Sequence, residues 1–212
     1  MKRLLGILAI TALTASAFAQ GTVALQNQTG LVRQWTSATD STLITTPQNG
    51  AYVELICAPV GTTLANAFGT YSAGGFAANY SSLAGFLAAN SGWSLAQGNP
   101  PATINGFGAG LFNGGGLTLP GIAGGANAEY MIVGWTGAFT TYEAAYASGT
   151  SFLGVSAIDT TVTGNPGTTP PGTAVSLRPT FTGITLAPIP EPTTFALAGL
   201  GLAALLVFRR RS

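Results

Sequence analysis

The apolar residues of this chain fall into two kinds of pattern. Two runs near the ends are almost continuous, residues 4–13 with Thr11 as the one polar residue and residues 195–208 with none. Between them lie short segments in which apolar and polar positions alternate, separated by clusters of Gly, Pro, Asn, Ser and Thr. Alternation with a period of two is the mark of a half-buried strand. Residues 22–27 show it, with Val23 and Leu25 on one side and Thr22, Ala24 and Gln26 on the other. Residues 31–35 and 42–45 predict two further strands, the first at a sheet edge, and Asn49-Gly50 is a hairpin turn signal. Residues 51–58 form a clear strand, stopped by Pro59 and Gly61. Residues 117–119 predict a short strand before Pro120-Gly121. In the second clear strand, 128–135, Tyr130, Ile132 and Gly134 share one face and Met131, Val133 and Trp135 the other. Both faces are apolar, which predicts a central strand between two layers. Residues 152–158 and 174–186 complete the set, the last read as two strands or as one broken at Pro179.

Two segments predict helices instead. In 81–90 a serine cap precedes an alanine-rich run that stops at Asn90 and Gly92, with Gly85 weakening it. In 140–147, Thr140 or Thr141 can cap, Glu143 lies in the first turn, and Gly149 follows the end. Many short strands, Gly/Pro turns and at most two short helices favour a mainly β fold. The expectation is an antiparallel β-sandwich or jelly-roll-like domain.

The two long apolar runs belong to targeting segments. Lys2 and Arg3 precede the 4–13 run, and Ala17-Phe18-Ala19 follows as a small-x-small cleavage site. This predicts a secretory signal peptide at 1–19, removed by signal peptidase so that the mature chain begins at Gln20. At the other end stand Pro190-Glu191-Pro192, the 195–208 run, and Arg209, Arg210 and Arg211. Proline fixes φ and biases its predecessor toward extended backbone, so Pro-Glu-Pro predicts a stiff, exposed peptide. The apolar run can satisfy its backbone in lipid as a helix, and the arginines hold the C-terminus on the cytoplasmic side. Fourteen residues make a helix of about 21 Å, short against a hydrocarbon core of about 30 Å. A marginal span suits a temporary anchor; the alternative is an ordinary, unprocessed C-terminal anchor.

These three parts, in this order over 188–212, resemble the PEP-CTERM sorting signal of exported Gram-negative proteins. The resemblance implies that an exosortase, a membrane-embedded cysteine transpeptidase, recognises Pro190, Glu191 and Pro192 and cuts the tail. It also implies residence in the inner membrane before processing, then the outer surface or extracellular matrix, and a link to exopolysaccharide production.

Charge sharpens the picture of the body, 20–187. Arg33 and Arg178 stand against Asp40, Glu54, Glu129, Glu143 and Asp159, two positive against five negative, a net of −3. The whole-chain net of +1 comes from basic residues in the targeting ends. An acidic body without lysine argues against nucleic acid as a partner. The chain has no histidine, which removes Ser-His-Asp and Cys-His nucleophile systems and the usual transition-metal sites. The lone Cys57 lies in an apolar strand and reads as a small buried hydrophobe.

The remaining candidate chemistry is sparse. Two carboxylates flanking a sugar would suit a glycosidase, but no spacing forces any pair together. Glu54 and Glu129 read as solvated strand positions and Glu143 as a helix-dipole partner. Asp40 and Asp159 stand alone among threonines, without a calcium-loop pattern. The glycine-rich run 106–116 lacks the Gly-Lys-Ser/Thr ending of a phosphate loop and reads as a flexible loop. Among the aromatics, Trp135 reads as core, and Trp93, beside Gly92, is the candidate for a surface residue that stacks on sugars.

The body also resembles a group of exported PEP-CTERM proteins of unassigned activity, in Gly21-Thr-Val-Ala-Leu25, Tyr52-Val-Glu-Leu-Ile-Cys-Ala-Pro-Val-Gly61, Leu117-Thr-Leu-Pro-Gly121, Tyr130-Met-Ile-Val-Gly-Trp135, Thr141-Tyr-Glu-Ala-Ala145 and Gly154-Val-Ser156. Against that pattern, 65–101 reads as an insertion. The expectation is a non-enzymatic exported surface or matrix protein with no cofactor and no metal. The alternative is a secreted module that binds exopolysaccharide through Trp93.

Overall fold

The fold is taken from a computed structural model that describes residues 19–98, 102–104 and 108–190. The expected membrane helix at 195–208, Arg209, Arg210 and Arg211, and most of the expected signal peptide, Ala17 included, lie outside these residues. Among the described residues no helix is long and apolar enough to cross a membrane.

In chain order the strands are β1 Gln20–Gln26, β2 Val32–Ser37, β3 Asp40–Thr45, β4 Ala51–Pro59, β5 Gly69–Ser72, β6 Gly75–Ala78, β7 Ser94–Leu95, β8 Ala102–Thr103, β9 Asn113–Ala123, β10 Asn127–Thr136, β11 Phe152–Val155, β12 Asp159–Val162, β13 Val175–Ser176 and β14 Ile184–Pro188. Helix α1, Leu83–Ala89, lies between β6 and β7, and α2, Tyr142–Ser148, between β10 and β11. The large sheet runs β3-β2-β14-β11-β10-β4-β7, with β12 also on β10 and β8 also on β4. A second sheet runs β13-β1-β9, and β5 and β6 form a separate hairpin.

The chain is therefore mainly β, as its pattern predicts. The antiparallel rule has two exceptions: β1 pairs with β13, and β14 with β2, in parallel. Both join an early strand to a late one, and such long-range pairing leaves no turn signal. It also moves β2 off the edge, because β14 covers one side and β3 becomes the edge strand with every residue exposed. Asn49-Gly50 does turn the chain, with Asn49 at φ 59° and Gly50 N–H donating to the Pro47 carbonyl. It is not a hairpin turn, since β3 and β4 stand apart in the sheet.

The β4–β10 pair is the centre of the body. Nine consecutive residue pairs run from Ala51↔Thr136 to Pro59↔Ala128. Alternation sends Val53, Leu55, Cys57, Tyr130 and Ile132 into one core, shared with Val23 and Leu25 of β1 and Leu117 and Leu119 of β9. It sends Ile56, Met131, Val133 and Trp135 into a second core with Phe68, Phe76, Leu83, Phe86 and Tyr142. The small sheet covers the first face, and α1, α2 and the hairpin supply the second. Phe68, Phe76, Leu83, Phe86 and Trp93, all from the segment read as an insertion, are thus built into the second core.

Local signals place both helices. Ser82 caps α1 by accepting from Gly85 N–H, and Thr141 caps α2 by accepting from Ala144 N–H. Gly149 ends α2 in the left-handed conformation, φ 65°. The strand β9 extends further than predicted. It takes in Asn113–Gly116 from the expected glycine loop, pairs with β1, and carries Pro120 where the register shifts. A proline is tolerated at such an irregularity on an edge strand.

Two glycines face each other across β10 and β11, Gly134↔Gly154. A Cβ on either would lie 3.1 Å from Leu186 Cδ2, and one on Gly154 would also strike the Thr185 carbonyl. The glycines leave the slot through which Leu186 of β14 reaches the core. Gly154→Ala is therefore expected to destabilise the protein by about 2–3 kcal/mol through overpacking. Gly149→Ala, where nothing lies within 4 Å, should cost only about 1 kcal/mol from its backbone conformation. Urea melts of the two variants check the order, and equal losses would contradict the slot.

Candidate functional site

Both predicted processing points abut strands. Gln20, the expected mature N-terminus, is the first residue of β1 and pairs with Ala123. The carbonyl of Ala19 accepts from Gly124 N–H at 2.8 Å. At the other end, β14 is an interior strand between β11 and β2. Ile184, Leu186 and Ala187 are buried, and Pro188 pairs with Phe152. Ile189 packs on the second core, and Pro190 is half-buried. The four residue steps from Ala187 to Glu191 span at most about 14 Å fully extended. The Pro-Glu-Pro peptide therefore leaves the body with almost no linker. Glu191 and Pro192 lie outside the described residues.

The hairpin β5–β6 lies against this exit. Gly75, φ 118°, is packed so closely that a Cβ there would strike the Pro188 carbonyl and lie 3.6 Å from Pro190 Cδ. Phe76 beside it is fully buried. Tyr71 fixes the other strand, since its hydroxyl accepts from Trp35 Nε1–H at 2.9 Å and the two rings meet edge to face. Trp35 stands on β2, the parallel neighbour of β14. Gly75 and Tyr71 carried no signal of this role. Ile189, an apolar residue between two prolines, was a visible one.

The expected surface tryptophan is not at the surface. Trp93 is 3% exposed and sits in the second core, with Nε1 buried and lacking a partner among the described residues. The short strand β7 that follows it pairs with β4 and draws it inward. Trp35 and Trp135 are also buried, so among the described residues no row of tryptophans is open to a sugar. Cys57 is buried as expected; burial pushes its thiol up to about 12, and Sγ lies 3.5 Å from the Ser94 carbonyl.

The carboxylates are less solvated than expected. Glu129 Oε1 accepts from Gly61 N–H at 3.0 Å. Glu143 sits in the first turn of α2 and also accepts from Leu83 N–H, the first residue of α1, at 2.8 Å. One side chain thus serves two helix N-termini. Glu54, on the same face of β4 as Ile56, is half-buried, and its Oε2 is buried without a partner among the described residues. Its carboxyl is pushed up to about 7, chiefly by burial and then by the charge of Glu143. Folding therefore brings near one another two carboxylates that sequence spacing did not. Asp159 is raised by burial, although Thr182 N–H and Oγ1 hydrogen-bond to it. Exposed Asp40 is lowered by the Thr42 N–H it accepts from. Among the described residues no three His, Cys, Asp or Glu side chains gather into a metal-binding group.

A model of the PEP-CTERM protein-sorting motif matches residues 188–211. The match begins inside β14 and reaches the last arginine, and it supports an exported protein targeted to an exosortase. No curated protein and no solved structure matches the chain.

Glu54 sets the sign of a pH dependence. In the folded state it keeps its proton to about 7, while the unfolded chain loses it near 4.5. Its contribution to stability is full below the lower value, falls as pH rises through the window, and is gone above the upper one. Partial exposure limits the swing to about 1–2 kcal/mol. Glu54→Gln should flatten the decline and raise the melting temperature at pH 8. Asp159 acts with the same sign, so part of the slope should remain. Melting curves between pH 4 and 8 with an unchanged slope in the variant would contradict this.

Proposed function

We propose that the chain is a non-enzymatic exported protein whose β-rich body is delivered to the outer surface or extracellular matrix by exosortase cutting of its C-terminal tail. The observation that carries this reading is the sorting-motif match at 188–211, which starts in the last strand of a folded body. In this reading Pro190, Glu191 and Pro192 form the recognised peptide. The apolar run 195–208 holds that peptide at the outer face of the inner membrane. Arg209, Arg210 and Arg211 keep the C-terminus cytoplasmic. The signal peptide, cut before Gln20, starts export.

The body supports a structural role by its chemistry. Cys57 is buried with its thiol kept protonated. Three of the five carboxylates, Glu129, Glu143 and Asp159, accept hydrogen bonds from backbone N–H groups elsewhere in the chain and so join separate elements of the body. Binding to exopolysaccharide would need a stacking surface other than Trp93.

Glu191→Ala tests the sorting claim. The variant is expected to be exported and folded, with Gln20 as its first residue, yet to stay in the membrane fraction with Arg209 to Ser212 attached. Wild type should yield a body lacking these residues in the outer or extracellular fraction. Intact mass after fractionation of the native host separates the two. Release of the variant at the wild-type level would overturn the assignment of Glu191, and an uncut wild type would make the tail a plain anchor.

A further inference from the structure

The docking of the tail base on the hairpin has a consequence for processing. An enzyme that reads Pro-Glu-Pro as an extended peptide engages its main chain, so the motif has to stand clear of the body. Its upstream side does not. Pro188 is paired in an interior strand, Ile189 is packed on the second core, and Pro190 lies against Gly75. The hairpin cannot easily move aside, since Phe76 is buried and Tyr71 is tied to Trp35.

We propose that the β5–β6 hairpin and the second core hold Ile189 and Pro190 on the folded body, and that release of these two residues limits the rate at which the tail is cut. The inference rests on the sorting reading above. Ile189 is the positioning residue, and Gly75 supplies the seat in which the exit backbone lies. Peeling β14 is the costly route, because Leu186 and Ala187 are fully buried. Undocking Ile189 and Pro190 breaks no strand pairing and exposes only two half-buried side chains, so it is the cheaper step. The body thereby withholds its own sorting peptide once it has folded.

The experiment follows the full chain in its native host by pulse labelling, with intact mass as the readout of cutting. Ile189→Ser removes the apolar anchor. A second variant carries six Gly/Ser residues between Ile189 and Pro190, which keeps the anchor and frees the motif. Both are expected to be cut about fivefold faster than wild type, the order that release of a half-buried isoleucine implies. The cut bodies should melt within about 4 °C of wild type, the shift that loss of about 1 kcal/mol of packing causes in a domain of this size. Cutting of both variants at or below the wild-type rate would overturn the proposal. Glu191→Ala runs in parallel: if it is cut like wild type, the sorting reading fails, whatever the other two variants do.

Discussion

The body depends on one strand pair being apolar on both faces. β4 and β10 run antiparallel through nine matched residues, and neither presents a polar side that could face water along its length. Each must be covered twice. Cover on one side comes from β1, β9 and the 177–184 region, and on the other from α1, α2 and the β5–β6 hairpin. At about 1.5–3 kcal/mol for each large apolar side chain fully buried, these two cores oppose the conformational entropy of a glycine-rich chain. The glycines have a packing role in return. Gly134 and Gly154 open the slot through which Leu186 brings the last strand into the first core.

That last strand joins the fold directly to the segment that carries the sorting motif. In many domains the C-terminal strand would lie at an edge, and a sorting peptide could follow it on a free linker. Here β14 fills the gap between β2 and β11. The sheet cannot be completed until the segment next to the motif is in place, and once it is, the motif stands within about 14 Å of buried sequence. Body and signal are physically continuous although their chemistry is separate: a low-charge, β-rich body on one side, and proline, an uncharged apolar run and arginine on the other.

The second core also gathers the protein's unusual polar groups. Glu143 serves the N-termini of both helices, while half-buried Glu54 has one oxygen without a partner among the described residues. Its carboxyl is thereby coupled to that of Glu143, and both its burial and the second charge favour the protonated form. Because the coupling partner is another carboxylate, its sign is set by repulsion as well as by burial.

What the sequence determined by itself was local, or was confined to a short contiguous segment. The caps at Ser82 and Thr141 and the stop at Gly149 involve residues within one helical turn, so both helices were legible. The two apolar faces of 128–135 follow from a period of two, so the central strand was legible too. The sorting peptide, its apolar run and its arginines act in linear order, and the motif match at 188–211 agrees. The tertiary structure alone decided what depends on distant residues meeting. Parallel pairing of β2 with β14 joins residues about 150 positions apart without a turn to announce it. The burial of Trp93, the approach of Glu54 to Glu143, and the seating of Pro188 and Pro190 against Gly75 are meetings of the same kind. Alternation states which side of a strand is apolar; it does not state which strand lies beside it, and the neighbours decide what is covered, what is charged and what can be reached.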